Sequence, residues 1–154
     1  MVKKIDELTY PILDDHIGVQ LWTLSELWKR QFDAEMVEQG HPYFVEACSN
    51  ILRYVGPRGT PQSRIVAGMG HSKQAVQQLI DELVLQGVVE RKVDPADRRG
   101  KLVVLTQKGL LALHDAKRIK KKIERSYEGL IGAKKLVQIT QLLDELTLAL
   151  QKIS

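Results

Sequence analysis

The residues best suited to chemistry with a charged partner lie between positions 88 and 109, in VVERKVDPADRRGKLVVLTQKG. Arg98 and Arg99 stand side by side in DPADRRG, between two strand-like runs at 88–93 and 101–106. Pro95 and Gly100 bracket the turn, as a hairpin with a longer loop requires. Guanidinium groups present their N–H donors as a fork that fits anionic oxygens, so an exposed finger of this kind suits a groove lined with phosphate. Period-two alternation places Val89, Arg91 and Val93 on one face, with Leu102, Val104 and Thr106 mirroring them. Lys101, Arg91 and Lys92 are candidate phosphate contacts. Asp97 has the wrong charge for that role. It either braces one arginine or caps the turn through local backbone hydrogen bonds.

A second set of polar residues precedes the hairpin. Ser72 is a good N-cap for a helix over 73–86, on which Val76, Leu79, Ile80 and Leu83 form the buried stripe. Lys73, Gln74, Gln77, Gln78 and Asp81 are left facing outward. A DNA major groove admits one α-helix, and glutamine can pair with adenine through two hydrogen bonds while lysine donates to guanine. Free N–H groups at the helix start, near Ser72, can also hold a phosphate. An isolated glutamine-rich face is simply a soluble helix face. Its position next to a basic hairpin is what gives it meaning.

These two sets need elements to position them. Residues 60–69 read as a short helix with Thr60 as N-cap and Pro61 at its first position, and Gly70 makes the turn into the next helix. Two helices, a tight turn and a basic hairpin make a winged helix-turn-helix. Upstream, a helix over 13–39 carries Ile17, Leu21, Leu24, Trp28 and Phe32 at spacings of three and four, and stops at Gly40. Pro42 opens a second helix lined by Phe44, Ala47, Cys48, Ile51, Leu52 and Val55. Downstream, a helix over 107–127 bears the basic run Lys117–Lys122 and is broken by Gly129 and Gly132. A last helix over 133–152 has Leu136, Ile139, Leu142, Leu143, Leu146 and Leu150 on one side. The first and last helices are not needed to complete a winged-helix core, so their apolar stripes imply association with a second copy. The alternative is that they pack on each other within one chain.

The charge distribution agrees with a nucleic-acid partner. Residues 1–50 hold 4 Lys/Arg against 9 Asp/Glu, a net of −5, and residues 51–154 hold 19 against 10, a net of +9. The lysine run 117–122 is either a solvated face or a contact to DNA backbone. The single cysteine, Cys48, excludes an internal disulfide framework. Its place on a buried stripe disfavours a redox role. His16, His41, His71 and His114 are scattered with no metal-ligand spacing, and His41 beside Pro42 reads as a helix-entry residue. Trp28 fits the core stripe and Trp22 an interface or pocket. No nucleophile–base pair, phosphate loop or carboxylate pair stands out, so an enzyme is disfavoured and no cofactor is called for. No apolar run spans a membrane, and the N-terminus lacks the apolar core of a signal peptide, which implies a cytoplasmic protein.

The run Leu83-x-x-x-Gly87-x-Val89-x-Arg91, followed by Asp94-Pro95-x-Asp97-Arg98-Arg99 and Thr106-x-x-Gly109, resembles the signature of the MarR family of bacterial transcription regulators. The element order extends the resemblance over nearly the whole chain. Two stretches depart from the family's common pattern: PYFVEACSNILRYVG, and PQSRIVAGMG with its Gly68 and Gly70. The resemblance implies a mainly α fold with a small β wing, with 1–154 as one domain. Residues 42–109 would be the winged helix-turn-helix part, and 1–40 and 110–154 the dimerisation helices. It implies a homodimeric, ligand-responsive repressor on a pseudo-palindromic double-stranded DNA site. Arg99 would reach the minor groove with Asp97 as its brace. A small-molecule effector would bind between the dimerisation helices and the winged helix and shift the spacing of the two reading heads.

Overall fold

In a computed structural model of the chain, residues 16–153 are described. The start of the first helix at residues 13–15, and the N-terminal stretch read as lacking a signal peptide, lie outside them. Helix α1 (Ile17–Glu38) begins at His16, whose ring Nδ1 accepts the Gly18 N–H at 3.0 Å. Only its C-terminal half is buried. Phe32 and Met36 pack with Ala116, Ile119 and Ile123 of a later helix, and Trp28 stacks on Phe32 at 5.0 Å. Ile17, Leu21, Leu24 and Trp22 remain exposed.

The helix expected after Pro42 is not an α-helix. The chain makes two tighter 3-10 helices, Pro42–Val45 and Ala47–Tyr54, separated at Glu46, whose backbone is extended. Ser49 helps explain the tightening, since its hydroxyl donates to the Glu46 carbonyl at 2.9 Å and the Phe44 carbonyl at 3.2 Å. Such local bonds compete with the regular helical ladder. The change of pitch also alters the buried set. Tyr43, absent from the expected stripe, is buried, and Ala47 is exposed.

Thr60–Pro61 is a short strand, β1, rather than the start of a helix. The Thr60 side chain accepts the Gly56 N–H, tying the preceding turn, and Pro61 becomes the N-cap of α2 (Gln62–Met69). Helix α3 (Lys73–Leu85) follows, capped by Ser72, whose Oγ accepts the Ala75 N–H at 3.2 Å. Val76, Ile80 and Leu83 are fully buried and Leu79 partly so, as the period of the stripe requires. Gly68 survives inside α2 because a Cβ there would sit 2.9 Å from the Tyr54 ring.

Strands β2 (Val89–Val93) and β3 (Lys101–Leu105) form the wing, and β1 pairs with β3 on the other side. The expected two-stranded hairpin is therefore a three-stranded antiparallel sheet in the order β1-β3-β2. The register also corrects the expected facing. Val89 opposes Leu105, Arg91 opposes Val103, and Val93 opposes Lys101. Directly opposed residues share a face, so Leu102 and Val104 lie on the other one. Thr106 belongs to the next helix as its cap. Its hydroxyl oxygen accepts the Gly109 N–H at 3.2 Å and lies 2.6 Å from the Gly87 carbonyl, to which it donates. A Cβ on Gly109 would meet the Val88 carbonyl oxygen at 2.2 Å. Thr106-x-x-Gly109 is thus the joint that closes the wing onto α4 (Gln107–Ile131).

Helix α4 runs through Gly129 and ends only at Gly132, where α5 (Ala133–Gln151) begins. Glycine lowers helix propensity by about 1 kcal/mol against alanine without ending a long helix. None of the residues of α5 is buried. Ile139, Leu142, Leu143, Leu146 and Leu150 stay exposed, so the stripes of the first and last helices do not cover each other within the chain.

Candidate nucleic-acid interface

The site begins with α3. Burial of Val76, Ile80 and Leu83 against the 3-10 segment and the sheet fixes the roll of the helix. That roll leaves Lys73, Gln74, Gln77, Gln78 and Asp81 exposed on the opposite side. Ser72, itself exposed, caps the first turn by accepting the Ala75 N–H. The five candidate residues 72, 73, 74, 77 and 78 are therefore gathered on one helix as anticipated.

The second part is the wing tip. Asp94 is 7% exposed, and its Oδ1 accepts the Ala96 N–H at 2.9 Å, the local turn that Asp-Pro sequences favour. The Asp94 N–H donates to the Gly100 carbonyl and the Gly100 N–H to the Asp97 carbonyl, so the loop is closed by its own backbone. Asp97 Oδ1 accepts the Arg99 backbone N–H at 3.0 Å. Of the two roles open to Asp97, the geometry is that of the turn cap: it holds the Arg99 main chain rather than its guanidinium. Arg98, Arg99 and Lys101 are exposed, and their side chains have no polar partner among the described residues. Three cations thus project from a tip whose backbone is pinned by two aspartates. Asp94, the better buried of the pair, was not singled out in the sequence. The Asp-Pro step at a strand end was the available signal.

Arg91 and Lys92 behave differently from the tip. Lys92 pairs with Glu90 on its own strand at 2.9 Å. Arg91 binds inside the chain, with Nη1 2.5 Å from Asp81 Oδ1, Nε donating to Gln62 Oε1 at 3.1 Å and Nη2 donating to the Gln77 carbonyl at 3.5 Å. In the structure the donors of Arg91, an expected phosphate contact, face acceptors on α2 and α3.

A buried polar network joins the winged-helix part to α4. His41 is 3% exposed, with Nε2 3.0 Å from Asp115 Oδ2 and Nδ1 3.2 Å from the Tyr43 hydroxyl. The hydrogen bond from His41 holds the Asp115 carboxyl below its ordinary range, burial opposes that shift, and Arg118 at 3.3 Å reinforces it. Burial pushes the Tyr43 hydroxyl up to about 12. His41 therefore does more than open a helix. Cys48 is fully buried. Burial, helped by the carboxylates of Glu82 and Glu46, pushes its thiol up to about 11. A thiol so far above neutrality is a poor nucleophile. The ligand-type atoms of Glu46, Cys48 and Glu82 lie within 4.8 Å of one another, a grouping that spacing along the chain did not reveal. No helix among the described residues is long and apolar enough to cross a membrane.

Two helices joined by a tight turn, a three-stranded sheet and a basic tip define a winged helix-turn-helix. The particular kind follows from comparison: residues 47–100 match the family model described as the MarR family. No curated protein matches the sequence. Among solved structures, a MarR-family transcriptional regulator from Rhodococcus sp. RHA1 is similar at 24% identity, covering 89% of this chain and 97% of that one, with a TM-score of 0.65. A mutant of MarR from E. coli is similar at 17% identity, covering 90% and 99%, with a TM-score of 0.68. The S. aureus MepR–DNA complex is similar at 18% identity, covering 87% and 98%, with a TM-score of 0.66. Residues 47–100 thus match the MarR family model, and nearly the whole chain shares the fold of these regulators.

Proposed function

We propose that the protein is a sequence-specific, double-stranded DNA-binding transcription regulator that acts as a homodimeric repressor on a pseudo-palindromic site. The observation that carries this reading is the pairing of two exposed polar surfaces on one rigid core. One is the Lys73, Gln74, Gln77 and Gln78 face of α3, and the other is the unpartnered Arg98–Arg99 tip. In this reading Gln77 and Gln78 read base edges in the major groove. Lys73 and Gln74 share that reading face, and Lys101 and the helix start at Ser72 hold backbone phosphates. Arg99, with Arg98, enters the minor groove, whose negative potential attracts arginine. Asp97 sets the angle at which Arg99 leaves the tip. The similarity of the fold to a MepR–DNA complex supports the same docking.

Residues 42–109 would form the DNA-binding part, and 1–40 with 110–154 the dimerisation part. The exposed leucines of α5 and the exposed N-terminal half of α1 support the dimer, since a monomer would leave a long apolar surface in water. Two copies would place two α3 helices on successive major-groove faces about one helical turn apart. A small-molecule effector would act between the dimerisation helices and the winged helix, near the His41–Asp115 junction, by favouring one spacing of the two α3 helices. The function is that of a binding protein rather than an enzyme, and its place is the cytoplasm. Selection of genome fragments by the purified protein tests the reading. The expected result is one enriched, near-palindromic site bound by two chains. Enrichment of no sequence over bulk DNA overturns it.

A further inference from the structure

We propose that Arg91 and Asp81 form a positioning clamp that sets the wing against the DNA-reading helix, and that neither side chain contacts DNA. The inference rests on the DNA-binding reading above and extends it to residues that do not touch the ligand. One guanidinium meets acceptors on two other elements, Asp81 and the Gln77 carbonyl on α3 and Gln62 on α2, while its own backbone is the middle of β2. Opposite it in the ladder lies Val103, which is fully buried. Arg91 therefore leaves from the inner face of the sheet and reaches out to α3, with 23% of its side chain exposed against 51% for Asp81. Gln77 and Asp81 are four residues apart and share one face of α3, so the clamp grips the turn that carries a base-reading residue. The base of the wing is held by core packing of Val89 and Val103 and by the β1–β3 pairing, and Arg91 adds the polar tie from β2 to the exposed side of α3. The tip is closed by its own backbone, and its arginines have no side-chain partner among the described residues.

The clamp explains the presence of a carboxylate on a surface that faces phosphate. Asp81 alone would repel DNA, whereas paired with Arg91 it presents little net charge. This gives the clamp an expectation opposite in sign to simple electrostatics. Removal of Asp81 takes away a negative charge, and charge alone would then tighten DNA binding. A clamp requires that binding weaken instead. Lysine cannot replace Arg91, because a single ammonium cannot serve three acceptors in the fixed plane that a guanidinium spans.

The test measures affinity for the selected site across a salt series for the wild type, D81A, R91A, R91K and the double variant D81A/R91A. D81A and R91A are expected to weaken binding about three- to fivefold, the range of a partly exposed ion pair with extra hydrogen bonds. R91K is expected to behave like R91A, and the double variant no worse than the weaker single. The double variant keeps the net charge, so its salt slope is expected to match the wild type; loss of a phosphate contact would lower the slope by about 0.9. Hydrogen exchange without DNA gives a separate readout: the Asp94 and Gly100 amides are expected to exchange several-fold faster in D81A, with the amides of α3 unchanged. Tighter or unchanged binding by D81A, a slope lowered by about one in the double variant, or unaltered exchange at the wing overturns the clamp. Wild-type protein that binds no DNA in a salt-dependent manner overturns the DNA-binding reading instead, and the exchange experiment still decides whether the pair holds the wing.

Discussion

Residues 42–109 and helix α5 solve the burial problem in opposite ways. In the first, Ile51, Ile65, Val76, Ile80, Leu83, Val88 and Val103 are almost fully buried within one chain. In the second, a sequence richer in leucine buries nothing. Apolar content alone therefore does not distinguish them. The winged-helix part brings three kinds of element around one core, whereas α5 touches its own chain mainly through the end of α4. A helix with a regular apolar stripe and no partner is an unfinished core. The first region completes its core within one chain, whereas α5 leaves an apolar surface that the proposed dimer would cover.

Substitutions sharpen this contrast. Ile80→Ala in the closed core is expected to cost about 2–5 kcal/mol of unfolding free energy, measured by urea denaturation. Leu142→Ala and Leu146→Ala, at positions exposed in the single chain, are expected to stay within about 0.5 kcal/mol in a dilute monomer. In the same pair of sites, Leu142→Glu with Leu146→Glu is expected to halve the mass seen by sedimentation while leaving the circular dichroism of the winged helix in place. A dimer that persists with both glutamates would move the interface elsewhere. At the wing joint, Gly109→Ala pushes a methyl group against the Val88 carbonyl and is expected to cost about 1–3 kcal/mol. Equal stability would mean the joint gives way easily.

Smaller effects separate reading from holding within the interface. Arg99→Ala is expected to weaken DNA binding on all sequences, lower the salt slope by about one and leave the dimer intact. Gln77→Ala and Gln78→Ala are expected to change sequence preference, at about 1–3 kcal/mol per lost base contact. Equal weakening on every sequence would reassign them to phosphate. The His41–Asp115 contact, which ties the start of the 3-10 segment to α4, is expected to respond to acid. The folded Asp115 carboxyl titrates below its ordinary value of 3.8, so its stabilisation is present above that value and is lost as pH falls through the lower folded value. Asp115→Asn is expected to flatten this acid limb of the stability curve. An unchanged limb would show that the His41 bond does not anchor α4.

Most of the wing and α3 was legible in the sequence because each rests on local rules. Ser72 caps, Val76 to Leu83 repeat with helical period, and Asp-Pro with Gly marks the turn. What escaped depended on partners distant in sequence. Thr60–Pro61 reads as a helix start until β3 offers it a ladder. The strand register was misread by one residue because the hairpin loop, not the alternation, sets it. The 3-10 pitch after Pro42 accompanies Ser49 bonding back to Phe44 and Glu46, and it places Tyr43 rather than Ala47 in the core. Arg91 looked like one more free cation because Gln62 and Asp81, its partners, lie 29 and 10 residues away. The tip cations Arg98, Arg99 and Lys101 have no such side-chain partner among the described residues.

In the proposed reading, one rigid core carries two DNA-facing surfaces. The most direct measurement of it is the affinity of the purified protein for its selected site between about 50 and 200 mM salt. The expected result is a fall of orders of magnitude over that range, with two chains on each site and a smaller slope for Arg99→Ala. Affinity that is flat with salt, and indifferent to Arg99, would contradict the account.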